Sequence, residues 1–277
     1  MNEGIEKFRE YLVKQGASNE TVISYCRSVT IYYSWYNQLS VELLQNFKAD
    51  LMERYTINTV NARIHGMNRY LKYLEAVGES AKTGPYRLTS VRQQQKTYLD
   101  SVISKRDYEK LKRRLKKDGD MRWYFIVHFL GSTGVRVSEL IEIKAEHVAQ
   151  GYMDLYSKGN KLRRVFFPQM LCAEALAWLR GVGIESGYIF NNRRGERITV
   201  RGIRMQLKHY AEKYKIPEET VYPHSFRHRF AINFLNRFND ISLLADLLGH
   251  DSIETTKIYL TKSSSEQRAL IDRVVTW

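Results

Sequence analysis

Across the first 80 residues the apolar side chains recur every three or four positions, and the rhythm stops at glycines or small polar residues. That period belongs to the helix and not to the strand. Residues 2–15 form an amphipathic segment that halts at Gly16. Ser18 then stands at a helix start, and residues 21–36 carry Val22, Tyr25, Val29, Tyr32 and Tyr36 on one stripe. A third segment runs from Ser40, with Glu42, Leu43 and Leu44 behind it, to about Arg54. A fourth runs from Thr56 to Val77 and ends at Gly78, with Ile57, Val60, Ile64, Met67, Leu71 and Leu74 on its stripe. The spacing predicts a four-helix bundle over residues 1–80, held by burying these stripes at roughly 1.5–3 kcal/mol per large side chain.

The polar faces carry information too. Opposite its stripe, the fourth helix presents Asn58, His65, Arg69, Lys72 and Tyr73, and the second presents Arg27, Thr30 and Ser34. Basic and amide groups beside aromatics suit a helix lying against a DNA groove. The same faces also read as merely solvated, and the sequence leaves both open. Residues 81–97 then break the periodicity with Gly84-Pro85, Arg87, Arg92 and Lys96, which predicts an extended basic linker and a domain boundary. From residue 98 to 277 a second domain is mostly helical. Its short β-section consists of Tyr152–Tyr156 and residues 164–167, joined by a glycine-containing turn at 157–161, with a further short strand at 188–190. The fold class expected is mainly α, with a small antiparallel β-section in an α+β second domain.

Charge narrows the partner. Lys and Arg number 44 against 30 Asp and Glu, a net +14 over 277 residues. A surplus of that size points to a polyanion, and nucleic acid is the commonest one. Two distant cysteines, Cys26 and Cys172, exclude a disulfide framework and fit a reducing compartment. The first residues contain acidic side chains and no apolar core of a signal peptide, and nowhere do about 18 uncharged apolar residues run together. A soluble, cytoplasmic protein without a membrane span is expected.

Four local signals in the second domain bear on chemistry. In Thr133-Gly134-Val135-Arg136-Val137-Ser138-Glu139-Leu140, Gly134 ends one helix and Arg136 begins the next, near backbone N–H groups that favour an anion. In Pro223-His224-Ser225-Phe226-Arg227-His228, His224 and Arg227 are neighbours on one helix face. His224 and His228 also have the spacing of a zinc pair, but Ser225 stands where a glutamate would, and no third ligand follows at a recognisable spacing. In residues 247–259, His250 and Tyr259 are nine positions apart, which on one continuous helix sets them on opposite faces. Gly249 as a C-cap, and Asp251 with Glu254 as a new helix start, break the helix and let the two converge. The fourth signal is Lys158, in the β-turn.

In this order and at these separations the four signals resemble the tyrosine site-specific recombinases, most closely the Xer-type and minimal phage-type integrases. The resemblance covers about residues 98–262 well; the N-terminal bundle matches the family's core-binding domain in size and position only. It implies that Arg136, Lys158, His224, Arg227 and His250 surround a scissile phosphate and that Tyr259 attacks it, with Lys161 in the same turn competing for the lysine role. It further implies double-stranded DNA with inverted-repeat core sites as partner, a 3′-phosphotyrosine intermediate, no cofactor and no metal. Arg27, Asn58, His65, Arg69, Lys72, Arg87 and Arg92 become candidate DNA contacts, and a nucleoid-associated location follows.

The chemistry is consistent with that implication. Two guanidiniums offer rigid paired donors to the non-bridging oxygens of a phosphodiester, which a lysine could not match geometrically. Only about one phenol in a thousand is ionised at pH 7, at a cost of roughly 4 kcal/mol, which a cationic pocket with a histidine in reach would lower. A lysine on a turn, its pKa lowered by arginines, suits a general acid for the leaving 5′-oxygen. Bundle, linker and catalytic domain could close on duplex DNA as a clamp. The apolar end of the tail at 263–277, with Leu270, Ile271, Val274, Val275 and Trp277, needs a pocket, in a neighbouring protomer of a tetramer or in cis. Two other functions remain open from sequence: type IB topoisomerase-like relaxation and a catalytically silent DNA-binding protein.

Overall fold

The computed structural model describes residues 2–79, 83–92, 101–156, 162–250, 252–260, 271–273 and 275. The chain divides into two compact units, Met1–Gln95 and Lys96–Trp277. The first holds four helices: α1 (Asn2–Lys14), α2 (Asn19–Trp35), α3 (Val41–Arg54) and α4 (Ile57–Ala76). The starts lie where the serines predict them. Ser18 Oγ accepts from the Thr21 amide and Ser40 Oγ from the Leu43 amide, so each satisfies an amide with no partner inside the helix. The stripes meet in a core that includes Phe8, Val29, Tyr32, Phe47, Ile64 and Met67.

Helix α4 is the centre of this unit, and it packs against α1, α2 and α3. Gly66 makes the α2 contact close, because a Cβ there would come within 2.3 Å of Ser28 Oγ. Tyr73 departs from expectation for the same reason. Sequence periodicity places it on the polar face, yet it is buried with its ring against Phe8, Tyr11 and Tyr70. A helix covered from three directions buries more than one stripe.

The described part of the expected linker, residues 83–92, opens with a turn at 83–86, continues without helix or strand, and does not stand free. Asn68 pairs twice with the Leu88 backbone, Nδ2 to the carbonyl at 2.8 Å and Oδ1 from the amide at 2.9 Å. Asn61 does the same with Val91, at 2.9 and 2.8 Å. An asparagine amide mimics a peptide group, so each clip resembles one rung of a sheet. The spacings match: seven helical residues advance about 10.5 Å, and three extended ones about 10 Å. Leu88 enters the bundle core, and Arg87 forms a paired salt bridge with Glu75 at 2.9 and 2.5 Å.

The second unit is built around α6 (Met121–Thr133), which is buried on nearly every face and packs with α5 (Lys105–Lys117), α7 (Val137–Leu140), α9 (Gln169–Gly181) and α11 (Pro223–Phe238). The remaining helices are α8 (Ala145–Gln150), α10 (Val200–Lys213), α12 (Ile241–Leu248) and α13 (Glu254–Lys257). Strands β1 (Tyr152–Tyr156) and β2 (Leu162–Phe166) pair antiparallel, with Tyr152 opposite Phe166 and Tyr156 opposite Leu162. The strand expected at 188–190 is not one. Tyr188 makes a single bridge to Lys144, and Ile189 and Phe190 turn into the core. A smaller apolar cluster joins α11 to α12 through Ala231, Leu235, Leu244 and Leu248, and Tyr259 packs against it.

Candidate active site

Helix ends build this site. Helix α6 stops at Gly134 in the left-handed conformation and α12 stops at Gly249 in the same way. Each end leaves backbone carbonyls without intrahelical partners, and the negative end of the helix dipole points the same way. Arginines take them up. Arg227, 3% exposed, donates from Nη1 to the Gly134 carbonyl and from Nη2 to the Leu248 carbonyl, both at 2.6 Å. Arg136 donates to the Gly249 carbonyl at 2.8 Å, and Arg163 to the Leu248 carbonyl at 2.7 Å. A Cβ on residue 249 would sit 2.3 Å from Arg163 Cδ, so only glycine admits both the positive φ and the guanidinium.

A single carboxylate serves two of these arginines. Glu139 accepts the Arg136 amide at 2.7 Å, closing the start of α7, and Arg136 Nη1 at 2.8 Å. It also accepts Arg163 at 2.9 and 3.2 Å. Burial alone would raise its pKa; Arg163, then the Arg136 amide and guanidinium, outweigh burial and hold it below the ordinary glutamate range. Three guanidiniums against one carboxylate leave the site electropositive. Burial first, and Arg136 next, lower the Arg227 pKa to about 10, which still keeps it charged at neutral pH. Sequence reasoning missed Arg163 and Glu139 as parts of the site. Glu139 was visible three residues after Arg136, as a helix-start carboxylate.

The three histidines of the site, His224, His228 and His250, all have lowered pKa values. His224, with an exposed edge, is lowered by partial burial and then by Arg227, Arg204 and Arg136. Burial and the same arginine field bring His250 to about 4, and its Nδ1 lies 2.7 Å from the Thr256 hydroxyl. His228 falls to about 4 through burial, His224 and Arg227. Its Nδ1 lies 2.9 Å from the Tyr259 hydroxyl. The histidine in contact with the phenol is therefore one that sequence reading considered only as half of a zinc pair.

Tyr259 reaches the site because the chain breaks after α12, as the glycine predicts. The restart differs: α13 begins at Glu254, whose amide bonds the Ser252 hydroxyl at 3.3 Å, while the expected cap Asp251 lies outside the described residues. The surroundings do not make this phenol more acidic. Burial raises its pKa, Arg227 and Arg136 offset part of that, Tyr222 adds to it, and the net shift is upward. The cations were expected to ease ionisation, but half-burial against the α11–α12 cluster outweighs them.

Lys158 and Lys161 lie outside the described residues. An open groove of about 560 Å³ runs from Arg136, Glu139, Arg163 and His250 to the exposed Tyr156, Leu162 and Phe166 of the hairpin. Of the candidate DNA contacts, Arg27, Asn58, His65, Lys72 and Arg92 are exposed. Arg69 is half-buried with its guanidinium over the Tyr11 ring, and Arg87 is committed to Glu75.

Residues 101–266 match the phage integrase family. The tyrosine recombinase XerA of Pyrococcus furiosus is 30% identical over 98% of this chain and 94% of its own length. The tyrosine recombinase XerD of Haemophilus influenzae is 29% identical over 95% and 94%. Among solved structures, a lambda integrase dimer bound to a core site superposes with a TM-score of 0.72 at 13% identity, covering 94% of each chain. XerH bound to its difH substrate does so with 0.69 at 17% identity, over 95% of this chain and 81% of that one.

Proposed function

The chain belongs to the phage integrase family of tyrosine recombinases, and from that membership we propose how its own residues cut and rejoin DNA. It is a site-specific recombinase, an enzyme of DNA strand breakage and rejoining. Its partner is DNA. Tyr259 is the nucleophile, Arg136 and Arg227 grip the non-bridging oxygens of the scissile phosphate, and His224 and His250 stand beside them as hydrogen-bonding imidazoles. Lys158, on the hairpin turn, protonates the leaving 5′-oxygen, so the energy of the broken bond is kept in a 3′-phosphotyrosine that a 5′-hydroxyl can reverse.

One observation carries this assignment. The Tyr259 hydroxyl is held by His228, the residue next to Arg227, while Arg227 and Arg136 are tied to adjacent carbonyls at the end of α12. Phenol and guanidiniums come from three separated segments of the chain, which supports their acting together. A Tyr259→Phe variant should bind DNA as the parent does and form no covalent adduct on a nicked suicide duplex. Adduct formation at the parental level would reject Tyr259.

The finer picture is a homotetramer on two inverted-repeat sites, linked through the C-terminal tail, acting in the cytoplasm on the nucleoid. Two described tail residues support it, since Ile271 and Val275 are 60% and 42% exposed within one chain. Apolar groups on so short a segment want a partner surface. Deleting residues 264–277 should abolish tetramers on DNA, and unchanged assembly would remove the tail from this role. Arg27, Asn58, His65, Lys72 and Arg92 supply backbone contacts from the first unit, and affinity should fall steeply with salt.

A further inference from the structure

We propose that His228, rather than His224 or His250, takes the proton from Tyr259 during strand cleavage; this rests on Tyr259 being the nucleophile. Three observations carry it. Among the described residues, His228 is the side chain within hydrogen-bond distance of the phenolic oxygen, Nδ1 to Oη at 2.9 Å. The Nδ1 of His250 faces the Thr256 hydroxyl instead, at 2.7 Å, and the ring of His224 packs against that of His228, centre to centre at 6.2 Å, while the His228 ring meets the phenol at 5.5 Å. Finally, His228 shares the face of α11 that bears Ala231 and Leu235, and that face packs on α12 where Tyr259 rests. The fold thus delivers the imidazole to the phenol and not to solvent.

The surroundings keep it a base. Burial first, and then His224 and Arg227 on its own helix, disfavour a proton on the ring, and His250 after α12 is coupled to it. A neutral imidazole accepts through Nδ1 as its Nε2–H tautomer. In the cleavage step the Tyr259 proton moves to Nδ1 and the phenolic oxygen bonds to phosphorus. The P–O5′ bond breaks with its electron pair on O5′, which takes a proton from Lys158. Rejoining returns the His228 proton to the departing phenol. The imidazolium forms only as a phenolate-phosphorus bond does, so its cost among arginines is met by an anionic phosphate arriving at the same place.

Single-turnover cleavage of a suicide duplex tests this with His228→Asn, whose amide occupies the Nδ1 position without titrating. Cleavage should fall by about a hundredfold, within the usual range for losing a general base, with DNA affinity and melting temperature unchanged. The parent rate should be level from pH 6 to 9, whereas the variant rate should rise about tenfold per pH unit, because it must await spontaneous phenolate. Replacing Tyr259 by 3,5-difluorotyrosine, a more acidic phenol, should restore the variant far more than it helps the parent. A parental or faster rate in His228→Asn, the latter marking His228 as a latch on a resting phenol, would overturn the proposal. So would an equal loss at every pH without rescue by the acidic phenol. A Tyr259→Phe control that still forms adduct would instead reject the nucleophile itself.

Discussion

The two units spend their polar side chains differently. In the first, accounts balance one to one: Asn61 and Asn68 each match a peptide group of the strap, and Arg87 matches Glu75. In the second, Arg136, Arg163 and Arg227 share Glu139 and three backbone carbonyls. Matched pairing fastens a segment and leaves nothing over. Three guanidiniums around one carboxylate leave a net positive charge, with Arg136 its most exposed member, held rigid by helix ends that cannot neutralise it. Surplus charge with fixed geometry is what an anionic transition state requires.

This contrast can be broken at its strongest point first. Glu139→Gln removes the carboxylate beneath two arginines and should destabilise the second unit by about 3 kcal/mol, the scale for orphaning a buried ion pair, read from denaturant unfolding. Because the Glu139 pKa is depressed, its contribution is present above the unfolded value near 4.3 and is lost as pH falls through the folded value. The gap between parent and variant should therefore close in acid and stay open at pH 7. A gap that widens in acid would show that the carboxylate is not held ionised.

Arg227→Lys should be nearly as costly but in rate and not in folding. A lysine cannot bond the Gly134 and Leu248 carbonyls together while presenting a fork to phosphate. Adduct formation should drop by about 10²–10³, on the scale of one lost transition-state donor. An intact rate would mean that charge alone suffices there. Asn68→Leu comes next, at about 1–2 kcal/mol for two hydrogen bonds whose backbone partners can return to water. The amides of Leu88 and Val91 should then exchange faster with deuterium; unchanged exchange would show that the strap is held by Leu88 burial alone. Glu75→Gln should do least, since Glu75 and Arg87 are both partly in water and an exposed pair is screened. A loss in its unfolding titration as large as that of Asn68→Leu would erase the distinction between clip and surface pair.

The bundle's helices were legible because their starts and stops are local chemistry: Ser18, Ser40, Gly16 and Gly78 act on neighbours a few residues away. The docking of residues 83–92 was not legible. Its partners Asn61 and Asn68 lie 30 and 20 residues back, and an asparagine on a helix face reads equally as solvated. Tyr73 was misplaced because one stripe cannot reveal that α4 is covered from three sides. At the site, Arg136, Arg227, His250 and Tyr259 were marked by residue type and order. Arg163 and His228 were not, since a strand arginine and a second helix histidine have bland local meanings.

The sequence by itself settled which residue types are available, where the helices of the bundle begin and end, and that a break after α12 frees Tyr259 from the helix carrying the residues before it. Those follow from capping, glycine backbone freedom and apolar period, all of them short-range. Only the tertiary structure decided which histidine meets the phenol, which carbonyls hold the arginines, and that the resting phenol is harder to ionise and not easier. Proton affinity and hydrogen-bond partnership depend on burial and on charges many residues distant, and those distances exist only once the chain has packed.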